Sequence, residues 1–219
     1  MFDVILLAAG LGLRSGLSYP KQFYLLGGKP IVVYPLELFE SMEEISRIIV
    51  ASRDNRVQTY IDQYKISKAV VIEGGDTRQE SVKNALVYCQ TDRVIIHEAV
   101  RPFITKEHVR ELLSIDDTAV IPIESLNFTL YDTSSELFPS RDTVFNVQLP
   151  QVFDRRILSG AHFLADKTYT DDSSLLKDVF GISPAVIKGL EHNIKITTPL
   201  DFRLAEAILY GDSGCNRRQ

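Results

Sequence analysis

The chain has 219 residues, is 45% hydrophobic and 24% charged, and carries a formal net charge of −5. That is apolar content for a real core in one large domain, and too little positive charge for a surface that works by neutralising nucleic-acid phosphates. No apolar run approaches the roughly 20 residues that cross a bilayer, and Asp3 stands where a secretory leader is basic, so the expected setting is the cytoplasm, without membrane or nucleic-acid partners.

In chain order, a Val/Ile/Leu run predicts a first strand over Asp3–Leu7, followed by a glycine-rich turn. Helix at Tyr34–Met42, strand at Arg47–Ser52, helix at Arg56–Tyr64 and strand at Ala69–Ile72 follow. Thr77–Cys89 reads as a helix with Val82, Ala85, Leu86 and Cys89 on one face. Its start, Asp76-Thr77-Arg78-Gln79, reads as an Asp76 cap with a capping-box partner. Strand Arg93–His97, helix Lys106–Leu113 and strand Ala119–Ile123 complete the first half. The strands barely alternate, as expected where both faces are covered. From Glu124 the rhythm breaks into a Ser/Thr-rich stretch that reads as an arm at about 124–148. Helices at Ile157–Leu164 and Asp172–Phe180, a strand at Ala185–Ile187 and a helix at Leu200–Leu209 restore it, the last opened by Thr198-Pro199. Alternating strands and helices predict an α/β fold, a doubly wound, mostly parallel Rossmann-like sheet, over a single domain of residues 1–219. Two cysteines, Cys89 and Cys215, and four histidines without ligand spacing offer no disulfide framework or thiolate metal site.

The turn after the first strand reads Ala8-Ala9-Gly10-Leu11-Gly12-Leu13-Arg14, with Pro20-Lys21-Gln22 beyond it. It lacks the third glycine of a dinucleotide fingerprint, because Ser15 stands there, and no Gly-Lys-Ser/Thr of a Walker loop occurs. A strand, a glycine turn and two cations still describe an anion cradle. Glycines let backbone amides approach closely, Arg14 grips phosphate oxygens in pairs, and Lys21 adds a compact charge. Two cations on one loop suit a triphosphate better than a single phosphate.

Five ordered segments resemble one family. They are Leu7-Ala8-Ala9-Gly10-Leu11-Gly12-Leu13-Arg14 with Pro20-Lys21-Gln22-Phe23, Glu73 to Val82, His97-Glu98-Ala99-Val100-Arg101-Pro102-Phe103, Gln148-Leu149-Pro150-Gln151-Val152-Phe153, and Asn193 to Pro199. Together they span nearly the whole chain. The family is that of the cytidylyltransferases acting on methylerythritol 4-phosphate and ribitol 5-phosphate. The resemblance implies attack by an acceptor phosphate oxygen on the α-phosphorus of CTP, with pyrophosphate leaving and Mg²⁺ as cofactor. Such an oxygen is already anionic, so catalysis reduces to positioning and charge stabilisation.

By the same resemblance, Arg14 and Lys21 neutralise the triphosphate while Leu7, Ala8, Ala9, Gly10 and Gly12 line its cradle. Gly74, Gly75, Asp76 and Ser81 hold cytosine. Glu98, where relatives usually carry Asp, is the metal partner. Arg141 and Lys195 hold the acceptor's phosphate, Arg141 from the arm of a second subunit in a homodimer. Arg101 reads as an internal ion-pair partner and His97 as structural. Relatives acting on methylerythritol 4-phosphate carry Asp-Thr at the arm's start and Thr before the Pro-Gln pair. This chain has Ser125-Leu126-Asn127-Phe128 and Leu149. Losing hydroxyls shifts specificity more than chemistry, and Val100 and Phe103 look closer to the ribitol phosphate branch. The expected acceptor is therefore a pentitol phosphate for a cell-envelope polymer, with methylerythritol 4-phosphate, an isoprenoid precursor, as runner-up. Two other readings stand beside it: a transferase using UTP or GTP with a sugar 1-phosphate, and a non-catalytic nucleotide-binding protein.

Overall fold

The structure is a computed structural model that describes residues 1–211, so Cys215 lies outside the described residues. In chain order its elements are β1 (Phe2–Leu7), a small hairpin of β2 (Leu25–Leu26) and β3 (Lys29–Pro30), α1 (Val33–Glu40), β4 (Ile45–Ser52), α2 (Arg56–Gln63), β5 (Ala69–Glu73) and α3 (Arg78–Leu86). Then come β6 (Arg93–Glu98), α4 (Lys106–Leu113), β7 (Ala119–Ser125), β8 (Phe145–Val147), β9 (Gln151–Asp154), α5 (Arg155–Leu164), α6 (Asp172–Phe180), β10 (Ala185–Lys188) and α7 (Pro199–Tyr210). No helix among the described residues is long and apolar enough to cross a membrane.

The main sheet has the order β10-β7-β9-β6-β1-β4-β5, with β8 pairing β7. β1 is central and runs parallel to both β4 and β6. Its unbroken apolar run follows from that place, since successive side chains enter opposite layers. Val4 and Leu6 pack in the layer that holds Phe39 of α1, Val57 of α2 and Leu112 of α4. Ile5 enters the other layer, with Val82 of α3, Leu158 of α5 and Leu175 of α6. Val82, Ala85, Leu86 and Cys89 are all buried, as their spacing predicts. Burial pushes the Cys89 thiol up to about 12, so it stays protonated and inert.

The sheet is a mostly parallel α/β fold, with two additions that the strand pattern did not reveal. β9 runs antiparallel between β6 and β7, and β8 pairs antiparallel with the end of β7. The helix cap also corrects the sequence reading by one residue. Thr77, not Asp76, caps α3: its hydroxyl accepts the Glu80 N–H while the Glu80 carboxylate takes the Thr77 N–H at 3.1 Å. At α7 the reading holds, with Thr198 as cap, Asp201 as its reciprocal partner and Pro199 in the first turn.

Topology decides where a ligand can sit. From β1 the chain steps to β4 and β5 on one side, then returns to β6 on the other. Loops leaving β1 and β6 therefore diverge and open a crevice at the carboxyl ends of the strands. Register sets Leu7 of β1 beside Glu98 of β6.

Candidate functional site

The crevice is a cleft of about 470 Å³, within the range of small-ligand sites. Leu7, Ala8, Ala9, Gly10, Gly12, Arg14, Lys21, Gly75, Asp76, Ser81, Glu98 and Lys195 all line it. Stretches some 180 residues apart in sequence thus meet in one place. Five lining side chains are cations (Arg14, Lys21, Arg53, Arg78, Lys195) against two carboxylates, Asp76 and Glu98. An acidic chain therefore holds a local excess of positive charge at the crevice, which suits a polyanion.

The glycine loop is shaped by its neighbours. Gln22 donates from Nε2 to the Ala8 carbonyl at 2.8 Å, and the Ala8 N–H goes to Ala51 at 2.8 Å. That corrects one detail of the expected cradle: the Ala8 amide is spent on the sheet. Beyond it the amides of Ala9, Gly10, Leu11 and Gly12 have no acceptor among the described residues. Gly12 has φ +71°, and a Cβ there would sit 3.0 Å from Lys21 Cγ. Only glycine lets the lysine stem pass beneath the loop.

Lys21 is 8% exposed. Burial, reinforced by the nearby charge of Lys195, pushes its ammonium down to about 8. Glu98 behaves in the opposite sense. Burial works against its charge, yet Lys195 and Arg101 outweigh it and hold the carboxyl down to about 2. Lys195 Nζ lies 2.6 Å from Glu98 Oε1 and Arg101 Nε 3.1 Å from Oε2. Arg101 also donates to the Asn193 carbonyl at 2.9 Å, the internal role the sequence suggests. His97 is fully buried, contacts the Arg101 carbonyl through Nε2 at 3.0 Å, and is kept neutral by burial, which moves it down to about 4.

The turn between β5 and α3 is closed on itself. The Gly74 N–H goes to the Ser52 carbonyl, that of Gly75 to Ser81 Oγ, and that of Asp76 to the Glu80 carboxylate. Steric fit explains the glycines: a Cβ at Gly74 would come 2.4 Å from that of Ala9, and one at Gly75 would meet Glu80 at 2.2 Å. Gly74 is buried behind this turn, not on the lining itself. The Asp76 side chain is 84% exposed and pairs with Arg53.

Two expectations fall elsewhere. Arg141 is exposed on the arm and does not line this chain's cleft. Leu149 is only 5% exposed and packs in the core with Ile5, Ile96 and Phe153. It does not line this chain's cleft.

Two lining cations carry no role in the sequence reading. Arg53 follows the last residue of β4, so its place at a strand's carboxyl end was the available signal. It donates to the Gly74 carbonyl at 3.2 Å. Arg78 lies inside a quoted motif but is distinguished only by its partner. Its Nη1 sits 2.7 Å from Asp172, whose other oxygen meets His162 Nε2 at 2.9 Å.

The sequence matches the family described as 2-C-methyl-D-erythritol 4-phosphate cytidylyltransferase over residues 2–211. A protein of that description from Bacteroides thetaiotaomicron is 36% identical over 218 residues, covering 94% of this chain and 99% of its own. One from Halalkalibacterium halodurans is 34% identical over 222 residues, covering 95% and 96%. Among solved structures, the Thermus thermophilus 2-C-methyl-D-erythritol 4-phosphate cytidylyltransferase superposes with a TM-score of 0.76 at 28% identity, over 95% of this chain and 98% of that one. The Anaerococcus prevotii 4-diphosphocytidyl-2C-methyl-D-erythritol synthase gives 0.82 at 28% identity, over 95% and 96%.

Proposed function

The chain belongs to the 2-C-methyl-D-erythritol 4-phosphate cytidylyltransferase family, and from that premise we propose that it transfers CMP from CTP to 2-C-methyl-D-erythritol 4-phosphate, releasing pyrophosphate. It is a nucleotidyltransferase with cytidylyltransferase activity. For the acceptor, the comparisons favour the runner-up over the pentitol lean: relatives with 36% and 34% identity carry the methylerythritol name, and none of them names a pentitol phosphate or an envelope polymer. The product then feeds isoprenoid synthesis in the cytoplasm. Residues 1–219 act as one domain with its arm at about 124–148, and the working unit is a homodimer.

One observation carries the reading: cations from the glycine loop, from Lys21 and from Lys195 converge on one cleft around an ionised Glu98. In the reaction a new bond joins the acceptor phosphate oxygen to the α-phosphorus while the bond to the bridging oxygen of pyrophosphate breaks. Free amides of Ala9 to Gly12 and the side chains of Arg14 and Lys21 meet the triphosphate. Lys195, with Arg141 from a partner's arm, holds the attacking phosphate in line. Gly75, Asp76 and Ser81 form the wall for the pyrimidine, with Gly74 setting the turn behind them. No general base is needed, because the nucleophile arrives deprotonated.

Mg²⁺ fits the donor set in one form only. Among the described residues no group of three metal-binding side chains occurs, so Glu98 alone would hold an ion that keeps water and phosphate oxygens as its other ligands. Such an ion supplies charge neutralisation at the phosphates. Glu98 is ionised for that role but already shared by Lys195 and Arg101.

A pyrophosphate-release screen tests the proposal. CTP, UTP and GTP are each paired with methylerythritol 4-phosphate, ribitol 5-phosphate and sugar 1-phosphates. Turnover with CTP and methylerythritol 4-phosphate above all other pairs is expected. Higher kcat/KM with ribitol 5-phosphate restores the pentitol reading, and no turnover with any pair leaves a nucleotide binder.

A further inference from the structure

Lys195 sits on a stretch between β10 and α7 that contains no helix or strand. Its position must be fixed from outside: the Gly189 N–H reaches the Ile123 carbonyl and the Ile196 N–H the Val100 carbonyl at the two ends, and between them one buried amide side chain holds Leu190 and Asn193. Gln148 is 1% exposed. Its Oε1 accepts from the Leu190 N–H at 3.0 Å and from Asn193 Nδ2 at 3.3 Å. Its Nε2 donates to the Leu190 carbonyl at 2.9 Å and to Glu124 Oε2 at 2.7 Å. Two donors and two acceptor sites are the full capacity of a primary amide. Gly189 makes room for this, since a Cβ there would lie 2.7 Å from Gln148 Oε1.

Asn193, also 1% exposed, continues the chain of contacts. Its Nδ2 donates to the Leu149 carbonyl at 2.6 Å, and its own carbonyl receives Arg101 Nη1 at 2.9 Å. Arg101 and Lys195 then close on the two oxygens of Glu98. A continuous polar path thus runs from Glu124, at the root of the arm, to both cations beside Glu98.

We infer that Gln148 and Asn193 are positioning residues for the acceptor half of the reaction, and that they tie the arm's root to the placement of Lys195. The inference rests on the reading of Lys195 as an acceptor contact. A buried amide that only stabilises the fold would affect both substrates alike. A positioning amide affects the acceptor selectively. Replacing Gln148 by Glu keeps the shape and one acceptor oxygen but removes both donors. It strands the Leu190 carbonyl and sets two carboxylates side by side, a disturbance directed at this path.

The test is steady-state pyrophosphate release by the full chain with CTP and methylerythritol 4-phosphate, beside CTP binding by calorimetry. Gln148→Glu should lower kcat/KM for the acceptor by about 30-fold while KM for CTP stays within about twofold. The exchange Glu124→Gln with Gln148→Glu restores one donor across the same gap and should recover about tenfold of that loss. Glu124→Ala, on a partly exposed residue that tolerates change, should cut acceptor kcat/KM about fivefold and keeps the idea testable should Gln148→Glu not fold. Equal losses toward CTP and acceptor, no recovery in the exchange, or an unchanged Glu124→Ala enzyme overturns the inference. Wild-type protein inactive toward every acceptor overturns the proposed function instead.

Discussion

Lys21 is the residue whose chemistry is most exposed to pH. An ordinary lysine keeps its proton to about 10.4, whereas burial brings this one down to about 8. In the free protein the unfolded chain holds that proton more tightly than the folded one. The resulting penalty is present below pH 8 and is relieved as pH rises from 8 towards 10.5, so this group does not destabilise the fold in alkali. Binding reverses the shift, because a triphosphate beside Lys21 favours the ammonium. CTP binding should therefore take up a proton near pH 8 to 9, measurable as a dependence of binding enthalpy on buffer ionisation. The kcat/KM for CTP should fall above pH 8, and Lys21→Arg should remove that limb because guanidinium does not titrate there. A flat profile in the wild-type enzyme would remove Lys21 from contact with phosphate. Lys21→Ala should lower kcat far more than it raises KM, since the contact strengthens as charge moves onto the leaving pyrophosphate. Glu98 has the opposite sign. Its stabilising contribution is present above the ordinary carboxylate range and is lost as pH falls from 4.5 through 2. The sequence reveals Lys21 through its loop, but not its depressed pKa, which arises first from burial beneath the glycine loop and then from the nearby charge of Lys195.

Among the elements, α3 shows how two kinds of anchor differ in weight. Its capping box is partly solvent-exposed, and Thr77→Ala should cost about 1 kcal/mol, lowering Tm by about 2–4 °C in a chain of this size. In the pair of Arg78 with Asp172 the carboxylate is buried and the guanidinium mostly so, and Asp172→Asn leaves unpaired a guanidinium that lines the cleft. That change should cost about 3 kcal/mol and lower Tm by about 6–12 °C. Scanning calorimetry on both variants checks the order, and a Thr77 effect as large as that of Asp172 contradicts it. The same helix shows what sequence can and cannot carry. Val82, Ala85, Leu86 and Cys89 announce its buried face, because burial follows the helical period. Its cap was ambiguous, since Asp76 and Thr77 can both cap and Gln79 and Glu80 can both answer. In the structure Thr77 and Glu80 make the reciprocal pair, while the Gly75 N–H goes to Ser81 Oγ. β9 was hidden for another reason: four residues after Pro150 carry too little pattern, and their strand character comes from pairing with β6 and β7. Parallel strands such as β1 and β4 were legible because burial on both faces leaves a continuous apolar run.

At the scale of the molecule, the arm is the part that the single chain leaves unexplained. Phe128, Tyr131, Leu137 and Phe138 are exposed there, and the Tyr131 and Phe138 rings pack against each other, tilted, with centroids 4.9 Å apart, instead of entering a core. An apolar patch of this kind on a surface calls for a partner, and Arg141 lies on the same arm, away from its own chain's cleft. A symmetric dimer that exchanges arms satisfies both facts and closes on itself. It also makes a prediction that no monomeric arrangement shares. On the proposed roles, Lys21→Ala and Arg141→Ala should each give a nearly inactive enzyme, one through its cleft and the other through its arm. In a mixed dimer with exchanged arms, both defects fall on one site, and the second site is built from an intact cleft and an intact arm. Random mixing puts half the dimers in that state with one working site of two, so co-refolded variants should recover about a quarter of wild-type activity per chain. If Arg141 serves its own cleft, each site in the mixed dimer carries one defect and mixing recovers nothing. Sedimentation of the wild-type protein fixes the oligomeric state in which to read the result: a monomer at assay concentration with full activity removes the arm from the mechanism, whereas a dimer that regains activity on mixing puts Arg141 in its neighbour's site.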